Sequence, residues 1–397
     1  MRSQSTLEGL FERIYKTKTI FRNKEALRHS YTPENLPHRD NQINQLATIL
    51  VSALRKETPS NIIMYGKTGT GKTAVVKYVG KELEKISAKY DANVHFIYMN
   101  CEVVDTQYRV LANLCNNFCS EKVPLTGWPT DQLYSLFIKE IDTDSKVVVI
   151  VLDEIDKLVK KSGDDVLYNL TRSNDDLKNA KASIIGISND LKFTEYLDPR
   201  VISSLGEEEI IFPPYDAIQL EDILKQRVSI AFKEGVLEET VVPLCAAYAA
   251  REHGDARKAL DLLRVSGEIA ERKGNRKVTE EDVRMAKDKI EQDRIIEVVK
   301  TLPKQSKLIL YSILQLKRED DRPIMTGEVF EVYRELCKRT SLDVLTHRRV
   351  SDLISELDML GIISAKVVSK GRYGRTKEIY LTIPSYRIKT LLQEEIL

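Results

Sequence analysis

Gly66, Gly69, Gly71, Lys72 and Thr73 stand at G-x-x-x-x-G-K-T spacing within N-I-I-M-Y-G-K-T-G-T-G-K-T, residues 61–73. That spacing suits phosphate chemistry. A loop running from Gly66 through Lys67, Thr68, Gly69, Thr70 and Gly71 can curl its backbone N–H groups around phosphate oxygens. A helix starting near Ala74 would face them with its partial positive charge. In such a loop Lys72 reaches the β- and γ-phosphates and the Thr73 hydroxyl ligates Mg²⁺. A second group lies at the end of K-V-V-V-I-V-L-D-E-I-D, residues 146–156. Asp153 is expected in the Mg²⁺ shell, and Glu154 as the base that activates water against the γ-phosphate. Asn189, after the apolar run 182–188, is placed to orient that water.

The elements that must hold these groups follow from periodicity. Ile62–Met64, Val94–Met99, Val147–Leu152, Ala182–Ser188 and Glu209–Phe212 read as buried strands, with helices over 43–55, 74–89, 106–119 and 131–141 between them. Apolar strands alternating with helices imply a parallel sheet covered on both faces, with ligands at the carboxyl ends of its strands.

With 61 Lys+Arg against 60 Asp+Glu, the net charge of +1 singles out no partner. The five cysteines form no C-x-x-C pair and read as buried free thiols. The longest apolar run is far too short to cross a bilayer, so no membrane role is expected, and the free thiols fit a reducing cytoplasm.

The expected organisation is a basic N-terminal arm (1–30), a nucleotide-binding base domain (31–214), an all-helical lid (215–294) and a C-terminal domain (295–397). The last reads as three helices, 303–316, 326–338 and 345–360, then two strands, 362–368 and 378–383. That order is the winged helix-turn-helix pattern. Its third helix would present Thr346, His347, Arg348, Arg349 and Ser351 to a DNA major groove. The hairpin tip, with Lys370, Gly371, Arg372, Tyr373, Arg375 and Lys377, carries basic side chains and no acid, suited to phosphates or a minor groove.

The order of P-loop domain, helical lid and winged helix resembles the archaeal replication-initiator family. These are AAA+ ATPases related to the large subunit of the origin recognition complex and to the cell-division-cycle helicase loader. The likeness covers nearly the whole chain. It rests also on Leu36-Pro37-His38-Arg39, Asp198-Pro199-Arg200, Phe212-Pro213-Pro214-Tyr215 and G-D-A-R-K-A-L at 254–260. The resemblance implies that Leu36, Pro37, His38, Arg39 and Tyr215 border an adenine. It implies that Asn189 is the sensor-1 residue, and that Arg257 is a sensor-2 arginine by which the lid feels the γ-phosphate. Arg200 is similar to the family's finger arginine, acting on its own nucleotide or a neighbour's. The broken segment 121–130 lies where the family carries an insertion that touches DNA; Thr126 and Trp128 would do so here, unless Trp128 is a core anchor.

The resemblance thus implies a slow, regulatory ATPase using ATP/ADP and Mg²⁺. It would bind double-stranded origin DNA and work with the replicative helicase and other initiator paralogues. Two further readings remain: a remodelling or transposition-helper ATPase whose winged helix binds protein, and an ATP-responsive transcription regulator.

Overall fold

All seven residues of the strand Val147–Asp153 are buried. Val148, Ile150 and Leu152 enter one apolar cluster, while Val147, Val149 and Val151 enter another. A strand can fill two cores only if helices cover both faces of its sheet, and the computed structural model has that arrangement. It describes residues 19–124, 126–317, 322–369, 375–381 and 385–396. They divide into two compact units, one ending at Val283 and the other beginning at Arg284.

In the first unit the order is α1 (Asp40–Leu54), β1 (Ile62–Tyr65), α2 (Lys72–Tyr90), β2 (Val94–Asn100), α3 (Gln107–Phe118), α4 (Thr130–Ile141) and β3 (Val147–Asp153). It continues with α5 (Ile155–Ser162), α6 (Asp165–Thr171), α7 (Ser173–Asp176), β4 (Lys181–Ser188), α8 (Pro199–Leu205) and β5 (Glu208–Ile211). The sheet is parallel throughout, in the order β2-β3-β4-β1-β5. β1 and β3 are therefore separated by β4. The P-loop after β1, the acids after β3 and Asn189 after β4 leave the sheet at the same edge, where such sheets bind ligands.

The helices α9 (Ala217–Ala231), α10 (Val241–Arg251) and α11 (Ala256–Lys273) follow, and α12 runs Glu280–Thr301. α9 opens with a capping box, in which Asp216 accepts from the Gln219 N–H and Gln219 reaches back. The expected boundary at 294/295 falls inside α12, which continues without a break.

Residues 19–30 differ from the loose arm that their basic charge suggested. Ile20, Phe21, Ala26 and Leu27 are buried. Phe21 pairs with Phe232 across an isolated bridge, its ring 4.8 Å from that of Phe232. Lys24 pairs with Glu268 at 2.8 Å, so this segment is stitched to the lid. The charges face outward while four apolar residues hold the segment down. Residues 1–18 lie outside the described residues.

The second unit contains α13 (Lys304–Leu316), β6 (Ile324–Met325), α14 (Thr326–Thr340), α15 (His347–Met359), β7 (Ile363–Ser369), β8 (Arg375–Leu381) and α16 (Ser385–Ile396). β7 and β8 form the antiparallel hairpin, and β6 extends it in the order β6-β8-β7. The core gathers Leu308, Tyr311, Tyr333, Val350, Ile354 and Ile379. β6 and α16 were not expected. Two residues are too few for periodicity to show, and the last helix lies beyond the hairpin that completes the winged-helix pattern.

All five cysteines are free, and four are buried. Among the described residues no helix is long and apolar enough to cross a membrane.

Candidate nucleotide and nucleic-acid sites

A cavity of about 200 Å³ opens where the P-loop meets the lid. Its lining brings together Gly69–Ala74, Asp153, Glu154, Asn189, Arg257, Leu36, Pro37 and Tyr215. Lys72 enters from the first turn of α2 and is buried. Its Nζ donates to the carbonyls of Gly66 (2.6 Å) and Lys67 (2.8 Å) and to Asn189 Oδ1 (2.9 Å). Gly66, Lys67 and Thr68 complete the loop without lining the cavity.

The Thr73 hydroxyl donates to Asp153 Oδ2 at 2.7 Å. A hydroxyl and a carboxylate at the rim of a phosphate cradle are the hard-oxygen donors Mg²⁺ takes, the rest of its shell being waters and phosphate oxygens. The residues fit the ion. No cluster of three acidic, His or Cys ligands exists among the described residues, and a phosphate-bridging Mg²⁺ needs none. Sequence reasoning missed Tyr98, whose hydroxyl donates to the same Asp153 Oδ2 at 2.7 Å. The contact arises because β2 pairs with β3, and strand order is not written in spacing.

Glu154 takes a left-handed conformation (φ +56°) between β3 and α5. Burial pushes its carboxyl above the ordinary range, with Glu102 and Asp153 adding to the shift. Asp156 lies beneath Asn189, accepting from the Ser188 hydroxyl at 3.3 Å and the Asn189 N–H at 3.4 Å. It fixes the turn that presents Asn189.

Two residues that the resemblance placed at the adenine do not line the cavity. Arg39 is only 2% exposed, and its guanidinium is committed to the carbonyls of Thr70 (2.9 Å), His38 (2.9 Å) and Pro213 (2.7 Å). It also stacks 3.7 Å from the Tyr215 ring. Arg39 thus supports the cavity from behind, tying the P-loop to the start of the lid. His38 turns to Asp222 at 3.0 Å. Leu36, Pro37 and Tyr215 do line the cavity. Arg200 does not; it is exposed and pairs with Asp198 through Nε at 3.0 Å and Nη2 at 3.1 Å.

The lid meets the P-loop at closest range. Asp255 caps α11, accepting from the Arg257 N–H at 2.8 Å, and the Ala256 N–H donates to the Gly69 carbonyl at 3.2 Å. A Cβ at Gly69 (φ +73°) would sit 1.7 Å from Asp255 Oδ1, and one at Gly254 (φ +67°) 2.2 Å from the Tyr215 carbonyl. Both positions require glycine.

The Lys72 environment has a measurable consequence. Burial pulls its ammonium from 10.5 to about 8, with Asp153 opposing that shift and Arg257 adding to it. A depressed lysine binds fewer protons folded than unfolded. It therefore costs stability below pH 8, and the cost is relieved as pH rises from 8 toward 10.5. Phosphate charge favours the ammonium form. ATP binding at about pH 8.5 should take up a fraction of a proton, and affinity should decline as pH rises further. Calorimetry in two buffers of different ionisation enthalpy reads the uptake, and Lys72→Met should abolish it.

On the second unit, Thr346 caps α15 by accepting from the Arg349 N–H at 3.3 Å. His347, Arg348 and Arg349 are exposed on its first turn. His347 packs its ring 4.6 Å from Phe330, and Arg349 reaches Glu356 at 3.4 Å. Lys370, Gly371, Arg372 and Tyr373 lie outside the described residues, as does the side chain of Arg375. Lys377, expected at a free tip, is half-buried. Its amine donates to the Ser351 carbonyl at 2.6 Å and to the Ser355 hydroxyl, fastening the hairpin to α15. Burial lowers its pKa. Lys377→Met should cost about 1 kcal/mol in denaturant melts and leave the salt slope of DNA binding unchanged. A slope reduced by about one would instead place the amine on a phosphate.

Trp128 is 40% exposed, so it is not a core anchor. Thr126 is exposed beside a shallow depression that also holds Tyr108, Arg109 and Lys161.

Comparison with known proteins agrees along the whole length. The family described as "AAA domain" matches residues 55–192, "Cdc6 AAA+ ATPase-type lid domain" residues 221–288, and "CDC6, C terminal winged helix domain" residues 297–390. The "ORC1-type DNA replication protein" of Pyrococcus abyssi is 65% identical over 393 residues, covering 98% of this chain and 94% of the relative. The "ORC1-type DNA replication protein 1" of Methanosarcina mazei is 63% identical over 392 residues, with the same coverage. Among solved structures, the Aeropyrum pernix ORC1 protein in complex with DNA is similar with a TM-score of 0.79 and 48% identity, covering 95% of this chain and 98% of that one. The chain belongs to the ORC1-type DNA replication proteins, AAA+ proteins with a Cdc6-type lid and winged helix.

Proposed function

We propose that this protein is an ATP-dependent initiator that binds replication-origin duplex DNA site-specifically and helps recruit the replicative helicase. Its nucleotide would act as a switch turned over slowly. The observation that carries the ATP half is the convergence of Lys72, Asp153, Glu154, Asn189 and the lid's Arg257 on one cavity. Lys72 would hold the β- and γ-phosphates, Thr73 and Asp153 the Mg²⁺, and Mg²⁺ would neutralise charge on the phosphates. Glu154 would accept the proton of a water oriented by Asn189. Arg257 would make lid position depend on the γ-phosphate. Arg200 stands outside this cavity, which favours action on a neighbouring copy or paralogue. The DNA half is supported by the exposed basic first turn of α15 and by the DNA complex of the Aeropyrum pernix relative. Trp128 and Thr126 would add a contact from the base domain.

The test is footprinting on the host's chromosomal DNA with ATP and with ADP, beside replication-start mapping. Protection at one or a few loci that fire replication is expected. Diffuse protection would move the reading to a remodelling ATPase, and protection at promoters to a transcription regulator.

A further inference from the structure

α5 is eight residues long and begins at the turn that carries Glu154. Its side chains reach two ways. On one side Asp156 holds the Ser188–Asn189 turn, and Lys160 pairs with Asp190 at 2.7 Å. On the other, Lys157 lies 4.0 Å from Glu102, and Lys161 pairs with Asp105. Both of those acids stand on the connection from β2 to α3, which is also tied to β3 where the Cys101 N–H donates to the Asp153 carbonyl at 2.8 Å.

α3 in turn carries the 121–130 segment. The Tyr108 hydroxyl donates to the Pro124 carbonyl at 3.0 Å and accepts from the Trp128 N–H at 3.4 Å. Asn116 accepts from the Val123 N–H at 2.7 Å. A run of contacts thus joins Glu154 to the segment expected at DNA, and Asp105 is its narrowest point. That carboxylate is shared between Lys161 and Arg109, the latter at 3.0 Å. Both cations line the depression beside Thr126 and Gly127. A DNA phosphate arriving there competes with Asp105 for them, and an exposed ion pair opens at little cost.

We infer that duplex DNA at this depression slows ATP turnover by drawing Lys161 off Asp105, with α5 carrying the change to Glu154. This rests on both the nucleotide reading and the DNA reading. Glu154 holds a left-handed backbone (φ +56°), a conformation that persists only where its surroundings impose it. Freed at its far end, α5 imposes it less, and the carboxylate leaves the place where it would meet water. DNA-bound protein would then keep its ATP. Lys161 and Asp105 are positioning residues that act through the helix.

The test is phosphate release by the full chain at saturating ATP, with and without saturating duplex from the host chromosome, in wild type, Lys161→Met and Lys161→Arg. DNA binding is titrated alongside. Wild-type turnover should fall about fivefold on DNA. Lys161→Met should be slow already without DNA and respond no further. Lys161→Arg, which keeps a cation for Asp105, should recover both the basal rate and the response. Wild-type turnover that bound DNA leaves unchanged or raises would overturn the inference. So would a Lys161→Met variant that loses rate equally with and without DNA, which marks a structural role. A variant that keeps the wild-type basal rate and loses only DNA affinity would reduce Lys161 to a plain phosphate contact and overturn it too. Absence of DNA binding in the wild type would sink the DNA reading as well, and absence of phosphate release the nucleotide reading.

Discussion

Glu154→Gln is expected to slow ATP turnover by about 10²–10⁴-fold while leaving ATP affinity nearly unchanged. The isosteric amide keeps the turn between β3 and α5, whose Glu154 N–H donates to Asp153 Oδ1 at 3.0 Å. What would disappear is the proposed proton acceptor. The raised carboxyl is better matched to taking a proton near neutrality than an ordinary glutamate. Turnover in the wild type should therefore rise with pH through the range where that carboxyl ionises, and the variant should lose this limb. Phosphate release measured beside nucleotide titration separates the two effects. Unchanged turnover would assign water activation to another group.

The second large effect concerns DNA. Arg348→Ala and Arg349→Ala, placed together, should weaken binding to a protected site by about 30-fold to 10⁴-fold, because each good base-edge contact carries about 1–3 kcal/mol. Both side chains are exposed on the turn that a winged helix offers to the major groove. Arg349 also bridges to Glu356, and Glu356→Ala in the same assay shows how far that pair limits it. Titration across salt concentrations divides the loss. A uniform drop with a shallower slope means phosphate contact, whereas a drop confined to the specific site means base reading. No loss at either kind of DNA would remove α15 from the interface.

The sequence made some of these features legible and hid others, for physical reasons. β3 was plain because a strand buried on both faces must be apolar throughout, and the P-loop because its glycines answer to backbone geometry. Lys72, Asp153, Glu154 and Asn189 were legible because each follows a recognisable strand. Arg39 was not, since a motif marks a neighbourhood and not the direction a side chain takes. Lys377 read as a free wing cation because the β7–β8 register, pairing it with Val367, is set by the folded hairpin. Tyr98 needed the β2–β3 pairing.

The contact between Gly69 and Asp255 carries a mechanical consequence. Only the short Asp255 side chain, already committed to capping α11, lies between the Gly69 backbone and the first turn of α11, which leaves little compliant layer to absorb a tilt of the lid. Any movement of the lid against the base must either drag the loop backbone or part from it. In the proposed switch the lid would be a lever with little clearance at its fulcrum, and small differences at the phosphates would emerge as discrete lid positions rather than as graded ones.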